Sequence, residues 1–262
     1  MKLVGNTILI TGGTRGIGFE LASQLLALGN VVLVTGRTDA GLKEAKSRLP
    51  RVHTYRCDVT SAKDIDDLFD LVTTQYPNLN GLINNAGQMR RLDLLDSSIS
   101  QNDVVKEVEI NLAGPIRMTQ RFLIHLAKKE HPFIANMTSG LAFVPFPLSP
   151  IYGATKAALH SYTQSLRVQL RRTSIRVFEV AAPAVKTSLN DKFEADLAGT
   201  PLMEPTKLVN LVLQGLEKDR WEILPGFAAV LRFLSRLAPG IPFAQMSSIA
   251  DRGLARPQPI HH

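Results

Sequence analysis

The segment Thr11-Gly-Gly-Thr-Arg-Gly-Ile-Gly18 decides the fold of this chain. It follows a short apolar run, residues 7–11, and precedes an amphipathic segment, residues 16–28, so it occupies the turn between a strand and a helix. Its glycines let the backbone turn tightly and bring amide groups close to a pyrophosphate at a helix N-terminus. Placed after a strand and before a helix, the glycines predict a dinucleotide-binding turn, and a plain glycine-rich turn is the alternative.

Outward from this turn, short runs rich in β-branched residues alternate with longer segments of helical periodicity. The alternation is typical of βαβ units around a parallel sheet. It predicts an α/β, doubly wound Rossmann fold, with a seven-stranded, mainly parallel sheet and helices on both faces. The predicted strands are residues 7–11, 31–35, 52–56, 81–84, 133–138, 175–180 and, on a shorter pattern, 221–223. The predicted helices are residues 16–28, 42–49, 62–76, 102–129, 152–171 and 205–218.

The chain has 262 residues and no internal segment of linker composition, which favours one large domain. We expect residues 1–225 to form that domain, with a lid over about residues 187–204, where the sequence becomes polar and irregular. Residues 226–262 are rich in proline and contain one short apolar helix, residues 227–237. This tail is expected to pack on the domain or on a sister subunit, and the sequence leaves its role open.

Composition and charge exclude several other classes of protein. Apolar residues make up 45% of the chain, an ordinary globular value that excludes a disordered or fibrous chain. The net charge of +7 comes from scattered lysines and arginines, so no nucleic-acid partner is expected. The N-terminus lacks a signal-peptide pattern and Cys57 has no second cysteine to pair with, which together favour a cytoplasmic location. A basic amphipathic helix can lie on a membrane, but we expect residues 227–237 to pack on protein instead.

The end of the second predicted strand bears on the choice of cofactor. An NAD site usually has an acidic residue there, which accepts a hydrogen bond from the 2′-hydroxyl group of the ribose. This sequence has Thr35-Gly36-Arg37 instead, and Arg15 in the glycine turn adds a second cation. Two guanidinium groups can bind a 2′-phosphate, which a carboxylate would repel. The sequence therefore predicts NADP as the cofactor.

Tyr152 and Lys156 stand four residues apart at the start of a predicted helix, so their side chains share one face. An adjacent ammonium group stabilises a phenolate, and we expect it to lower the pKa of Tyr152. Ser139 follows an apolar strand and offers a hydroxyl group to the carbonyl oxygen that the tyrosine would protonate. The three residues together predict acid–base chemistry at a carbonyl or an alcohol.

With these motifs assembled, the sequence resembles the short-chain dehydrogenase/reductase family from residue 3 to about residue 225. The resemblance rests on TGxxxGxG at residues 11–18, on Asn84-Asn-Ala-Gly87 and on YxxxK from Tyr152 to Lys156. It implies a catalytic tetrad that consists of Asn111, Ser139, Tyr152 and Lys156.

The resemblance also implies a role for each member of the tetrad. Tyr152 is the general acid in reduction and the general base in oxidation. Lys156 binds the nicotinamide ribose as well, and Ser139 orients the substrate oxygen. Asn111 holds a water molecule that links Lys156 to solvent, so that the transferred proton can be replaced.

One departure from the family pattern lies after the sixth predicted strand. The family usually has Pro-Gly there, whereas this chain has Ala182-Pro183, and proline makes the local path of the chain stiffer. Val185 and Thr187 are retained, and the resemblance places Thr187 at the nicotinamide carboxamide and Asp58 at the adenine. The predicted cofactor contacts are Gly12, Thr14, Arg15, Gly16, Ile17, Gly18, Arg37, Asp58, Val59, Asn85, Ala86, Gly87, Tyr152, Lys156, Val185 and Thr187.

The loop between Ser139 and Tyr152 is almost wholly apolar, and in a fold of this kind it borders the substrate. The predicted substrate contacts are Ser139, Leu141, Phe143, Phe146 and Tyr152. The alternative is that these apolar side chains pack beneath the lid or at a subunit contact. No metal site is expected, since His160 has no second ligand candidate nearby and is interpreted as a residue of the helix surface or an interface.

These observations predict an NADPH-dependent oxidoreductase. It would reduce a hydrophobic or aromatic ketone or aldehyde to the alcohol, and run in reverse, by hydride transfer with Tyr152 as the general acid/base. One alternative is an NADPH-binding redox sensor without turnover, although such proteins commonly lack the tyrosine or the lysine. Another is a hydrolase that reuses the scaffold. A homodimer or homotetramer is expected, because the family usually pairs its long helices, here residues 102–129 and 152–171.

Overall fold

The computed structural model describes residues 1–193, 195–197 and 201–254. Within them, the strands are β1 Thr7–Ile10, β2 Val31–Gly36, β3 His53–Arg56, β4 Leu79–Asn84, β5 Phe133–Ser139, β6 Arg176–Ala182 and β7 Glu222–Ile223. They form one sheet in the order β3-β2-β1-β4-β5-β6-β7, and every neighbouring pair is parallel. The predicted doubly wound fold is therefore confirmed, and the sheet is wholly rather than mainly parallel.

Helices follow the strands in sequence. Their bounds are α1 Gly16–Ala27, α2 Asp39–Arg48, α3 Ala62–Gln75, α4 Gln101–Val108, α5 Gly114–Leu126, α6 Pro150–Gln169, α7 Pro205–Glu217, α8 Phe227–Leu237 and α9 Gly240–Leu254. Hydroxyl side chains cap three of them, because Thr38, Ser61 and Ser100 accept backbone N–H groups of the first turns of α2, α3 and α4.

Helices cover both faces of the sheet because successive side chains of a strand point to opposite faces. Along β2, Val34 belongs to the core that α1 and α7 cover, whereas its neighbour Leu33 belongs to the core that α3, α5 and α6 cover. Phe178 is fully buried in the first core and Phe122 in the second. The nearly continuous apolar strands seen in the sequence follow from this two-sided burial.

The predicted helix of residues 102–129 is interrupted by one π-helical turn, Glu109–Ala113, which lies between α4 and α5. Gly114 donates its backbone N–H to the carbonyl oxygen of Glu109. Pro115 has no N–H to donate to the carbonyl of Asn111, so the regular ladder of α-helical hydrogen bonds cannot continue through this turn. Sequence periodicity missed the break because the apolar pattern runs on through both helices.

Helix α9 was also missed by the sequence pattern, whereas α8 has the predicted bounds. Pro239 precedes α9 and Pro242 lies in its first turn, where backbone N–H groups have no partner within the helix. The axes of α8 and α9 differ by 119°. No single helix in the described ranges is long and apolar enough to cross a membrane, and this bent pair meets those criteria by length and composition.

The described part of the expected lid is held where it begins and ends. Val185 forms a bridge with Met203, and the backbone N–H of Lys186 donates to the carbonyl of Met203 at 3.0 Å. Between them, a 3-10 turn at Asp191–Phe193 places the side chain of Phe193 in full burial. Residues 194 and 198–200 of the expected lid, and residues 255–262 of the tail, lie outside the described residues.

Phe122 offers a test of the second core. Its ring is fully buried and meets the ring of Phe69 edge to face, at a centroid distance of 5.0 Å. We expect Phe122→Ala to lower the free energy of unfolding by about 3–5 kcal/mol, because a cavity replaces the ring. Leu71→Ala is the matched control, since Leu71 lies on the same helix as Phe69 but is 45% exposed. Urea unfolding followed by circular dichroism compares the two, and equal losses would contradict the described packing.

Candidate active site

The carboxyl ends of the central strands meet at one edge of the sheet, around a cavity of about 850 Å³. The strand order changes direction between β1 and β4 at this edge, which is where open α/β sheets bind their ligands. Every predicted cofactor contact except Gly18 lines this cavity. The fold therefore brings together residues that lie far apart in the sequence.

The glycine turn has no room for side chains where chain segments approach one another. Gly12 has a φ of +63°, and a Cβ atom on it would lie 2.9 Å from the Cα atom of Ala86. Gly18 lies behind the turn, where a Cβ atom would lie 2.4 Å from the carbonyl oxygen of Gly12. Gly18 therefore supports the turn by close packing and does not line the cavity, which corrects its predicted role as a cofactor contact.

The segment after β4 holds the glycine turn in place. Asn85 donates its side-chain amide to the carbonyl groups of Thr11 and Gly12, both at 3.0 Å. Thr11 Oγ1 accepts the backbone N–H groups of Asn85 and Ala86, each at 3.0 Å. Helix α1 begins at Gly16, and the free N–H groups and dipole of a helix N-terminus favour an anion. These residues fit the pyrophosphate of a dinucleotide.

Two arginines border the same cavity. Arg15 precedes α1 and Arg37 follows β2, and both residues are exposed. Neither guanidinium group forms an ion pair with a carboxylate of the described ranges. Glu44 also lines the cavity, but it pairs with Arg48 at 3.6 Å. Both cations are thus free to receive a negatively charged group.

Helix α6 and the end of β5 bring together the three residues of the predicted acid–base chemistry. Tyr152 and Ser139 are almost fully buried, and their side chains are hydrogen-bonded to each other. Lys156 Nζ lies 5.5 Å from the centroid of the Tyr152 ring. The same Nζ donates to the carbonyl oxygen of Met137 at 2.8 Å. All four residues line the cavity.

The electrostatics of Tyr152 differ from the expectation. Burial raises the pKa of Tyr152 to about 12, while the hydrogen bond with Ser139 lowers it and the charge of Glu107 raises it further. The expected lowering of this pKa by Lys156 is wrong for this structure, because the lysine is directed at the carbonyl of Met137 and burial dominates. The phenol therefore keeps its proton at neutral pH, which is the state that a general acid needs.

Glu107 is a buried acid that the sequence analysis missed. Its side chain on α4 is fully buried, and Oε1 accepts the backbone N–H of Arg90 at 2.8 Å. Oε2 has no hydrogen-bond partner among the described residues, and burial raises the pKa of Glu107. The carbonyl of Arg90 in turn accepts from Ser149 Oγ at 2.7 Å, directly before the helix of Tyr152. No sequence signal marked this residue, since a helical glutamate is normally exposed.

Asn111 lies fully buried in the π-helical turn. Its side chain accepts the N–H of Gln88 and donates to the carbonyl of Gln88, both at 2.8 Å. A Cβ atom on Gly87 would lie 3.4 Å from Asn111 Oδ1 and 3.7 Å from Lys156 Nζ. Glycine at residue 87 therefore leaves space between Asn111 and Lys156. The water molecule expected between them stays a prediction.

The expected substrate contacts divide into two groups. Ser139, Leu141, Phe146 and Tyr152 line the cavity, whereas Phe143 does not. The ring of Phe143 packs edge to face against His160 at a centroid distance of 5.2 Å, and the guanidinium of Arg232 lies 4.8 Å above it. The prediction for Phe143 is wrong because these partners hold its ring between α6 and α8.

His160 is not the surface or interface residue that the sequence indicated. Its Nδ1 atom lies 2.8 Å from both carboxylate oxygens of Glu179, which is fully buried in β6. Glu179 also accepts a hydrogen bond from Thr138 Oγ1 at 2.8 Å. The pair therefore fastens α6 to the sheet directly beside Ser139.

The tail, whose role the sequence left open, forms one wall of the cavity. The lining side chains from α8 and α9 are Phe227, Ala228, Leu231, Gln245, Met246 and Ile249. Together with Leu141 and Phe146 they give this part of the cavity a predominantly apolar surface. Such a surface suits an apolar ligand that a few polar groups orient.

Comparison with known proteins identifies the family. The family model described as short chain dehydrogenase matches residues 6–198, so the chain belongs to the short-chain dehydrogenases. It is 41% identical over 250 residues to the uncharacterized oxidoreductase DltE of Bacillus subtilis, a match that covers 95% of this chain and 99% of that protein. It is 26% identical over 247 residues to a fatty acyl-CoA reductase of Acinetobacter baylyi, covering 93% and 83% of the two chains. The chain is an oxidoreductase of this family.

Solved structures share the fold. A short chain dehydrogenase from Burkholderia cenocepacia, in complex with NADP, has a TM-score of 0.81 at 24% identity and covers 94% of this chain and 99% of that one. One from Burkholderia phymatum, in complex with NAD, has a TM-score of 0.81 at 21% identity and covers 88% and 93%. At this level of identity the likeness shows the fold alone.

Lys156 offers a test of the electrostatics of the site. Burial lowers the pKa of Lys156 from 10.5 to about 8. Because the folded state disfavours the charged lysine, wild-type stability rises as the pH increases from about 8 to about 10.5. We expect Lys156→Met to raise the free energy of unfolding at pH 7 by about 3 kcal/mol, a difference that disappears near pH 10.5. Urea unfolding over this pH range measures it.

Lys43→Met, on the exposed surface of α2, is the matched control for this measurement, and we expect it to follow the wild-type pH dependence. The prediction would be contradicted if Lys156→Met were less stable than the wild type at pH 7 and the two free energies of unfolding did not approach each other at higher pH. Burial of the charged lysine would then not destabilise the folded state.

Proposed function

We propose that this chain reduces a hydrophobic ketone or aldehyde to the alcohol, with NADPH as the hydride donor, and that it catalyses the reverse oxidation. One observation carries the proposal. The protonated phenol of Tyr152 and the hydroxyl of Ser139 share a cavity with a glycine turn at a helix N-terminus and with the unpaired cations of Arg15 and Arg37.

In this mechanism the residues of the chain position the substrate and move the proton. Ser139 donates a hydrogen bond to the carbonyl oxygen and holds it beside Tyr152. Tyr152 donates its phenolic proton to that oxygen while the carbonyl carbon becomes tetrahedral. The bound cofactor supplies the hydride that this carbon receives. Lys156, together with the water expected at Asn111, returns a proton from solvent to the phenolate.

The preference for NADP rests on residues of this chain. Strand β2 ends at Gly36 and Arg37 follows it, so no carboxylate stands where a ribose 2′-hydroxyl would be bound. Two free guanidinium groups, those of Arg15 and Arg37, suit a 2′-phosphate. The similar structures hold NADP in one case and NAD in another, so they favour neither cofactor.

The substrate class rests on the apolar wall of the cavity. Leu141 and Phe146 come from the loop after β5, and Leu231, Met246 and Ile249 come from the tail. The fatty acyl-CoA reductase of Acinetobacter baylyi acts, by its name, on a compound with a long apolar chain, which agrees with this surface. The proposal therefore favours carbonyl compounds with an extended alkyl or aromatic group.

The proposal includes a homodimer or homotetramer that pairs the helices of residues 101–126 and 150–169. Val105, Ile124 and Val168 lie on these helices and are 49%, 73% and 58% exposed. Large apolar side chains in such positions suit a helix-to-helix contact between subunits.

Oxidation of NADPH, followed by its absorbance, against a panel of aliphatic and aromatic ketones and aldehydes tests the reaction. We expect turnover by the wild type and a loss of about 10²–10⁴-fold in kcat for Tyr152→Phe, because the proton donor is removed. Tyr162→Phe, on the same helix but outside the cavity lining, is expected to keep wild-type activity. NADPH binding without turnover on any compound would overturn the proposal and favour a redox sensor.

Arg15 and Arg37 provide a separate test of cofactor choice. We expect Arg15→Ala and Arg37→Ala each to raise the KM for NADPH by about tenfold, because each removes a charge-assisted contact to the phosphate. The KM for NADH should change by less than about twofold, since NADH lacks that phosphate. Arg172→Ala, at an exposed arginine in the turn that follows α6, serves as the control. A wild type that prefers NADH would show that the two cations do not reach the 2′ position.

A further inference from the structure

One surface of the tail is apolar and exposed. Four of its large side chains lie on α8 at intervals of three or four residues, so they form one stripe along that helix, and two lie on α9. They are between 44% and 69% exposed. We call the six side chains the tail patch: Phe227, Val230, Phe233, Leu237, Ile241 and Phe243.

The opposite face of α8 is apolar as well. Ala228 and Leu231 are buried there and line the cavity. A helix face that carries several large apolar side chains is normally buried against another element. The described residues cover only the cavity side of α8, and contiguous exposed apolar side chains mark an interaction surface. The tail patch therefore has the composition of a surface that meets a partner outside the chain.

The charge of this segment indicates which partner fits. No aspartate or glutamate occurs between Glu222 and Asp251, whereas Arg232 and Arg236 occur in α8. Arg232 is held by Glu222 at 3.5 Å and by the ring of Phe143, but Arg236 is exposed beside the tail patch. In a symmetric contact between two copies, this arginine would face a surface without carboxylates. Anionic lipid headgroups supply the negative charge that such a patch lacks.

The tail patch is continuous with the cavity through Phe227. This side chain lines the cavity and is also 48% exposed. A partner protein on the patch would cover this side of the cavity. A bilayer on the patch would instead place its apolar interior next to the entrance of the cavity. Apolar compounds dissolved in the bilayer could then enter the cavity without crossing water.

We propose that the tail patch docks on an anionic membrane surface, with α8 lying in the plane of the interface, and that an apolar carbonyl substrate enters the cavity from that membrane. Docking is independent of the reaction, whereas substrate entry rests on the proposed function. The sequence led us to expect that residues 227–237 pack on protein. In the structure only one face of α8 does so.

Vesicle flotation of the full chain tests docking without an enzyme assay. We expect the wild type to float with vesicles of phosphatidylcholine containing about 30% phosphatidylglycerol, and to do so less at higher salt. The variant Phe233→Ser/Leu237→Ser, whose two positions do not line the cavity, is expected to lose at least about fivefold in bound fraction. Arg236→Gln should weaken binding to the anionic vesicles and leave binding to pure phosphatidylcholine unchanged.

The matched control is Val4→Ser/Leu71→Ser, which removes two exposed apolar side chains elsewhere and should float like the wild type. Substrate entry is tested with a long-chain aldehyde dissolved in the vesicles. Its KM should rise at least about fivefold in Phe233→Ser/Leu237→Ser, while the KM for a hydrophilic aldehyde stays unchanged.

Two results would overturn docking. One is a wild type that floats with neither kind of vesicle. The other is a Phe233→Ser/Leu237→Ser variant that sediments as a smaller oligomer than the wild type, which would assign the patch to a contact between copies. Flotation without turnover on any carbonyl compound would refute the proposed function and leave docking intact. Turnover without flotation would refute docking and leave the proposed function intact.

Discussion

The structure depends on the close approach of two backbone segments, the glycine turn after β1 and the segment after β4. Between Gly12 and Ala86 there is no room even for a methyl group. The side-chain amide of Asn85 donates hydrogen bonds to the carbonyl groups of Thr11 and Gly12 in the turn. Because β1 and β4 are neighbours in the sheet, this contact sits where the strand order changes direction. The contact therefore positions the N-terminus of α1 at the edge of the sheet where the cavity lies.

Helix α6 positions the polar side chains of the site against the sheet. Tyr152, Lys156 and His160 follow one another at four-residue spacing on one face, and each meets a partner on the sheet: Ser139, the carbonyl of Met137 and Glu179, respectively. Burying a lysine, and an acid such as Glu107 whose Oε2 has no hydrogen bond and only the ion pair with Arg90 Nε at 3.8 Å, is unfavourable for folding. The same burial raises the pKa of Tyr152 and keeps its phenol protonated. Stability lost in this way is common at functional sites.

The sequence was sufficient to predict those parts of the fold and the site that local motifs specify. These parts are the glycine turn, the Tyr152–Lys156 spacing and the alternation of strands and helices. Each is a pattern within one or two neighbouring elements, so the residue types and their spacing are enough to predict the local structure. Glu107 and the ring position of Phe143 were missed because they depend on partners distant in the chain. The sign of the pKa shift of Tyr152 was missed for the same reason, since burial depends on tertiary packing and the spacing of two side chains does not report it.

The two halves of the cavity have different origins in the chain, and this separates reaction type from substrate choice. Tyr152, its partners Ser139 and Lys156, and the glycine turn lie within residues 6–198, the part that the family model matches. The apolar wall from Phe227 to Ile249 lies beyond it. Membership of the family therefore bears on the type of reaction, whereas the compound that fits depends also on α8 and α9, which complete the apolar wall begun by Leu141 and Phe146. These two helices face the cavity on one side and carry the tail patch on the other. The proposed membrane docking and the choice of substrate would therefore depend on the same short segment.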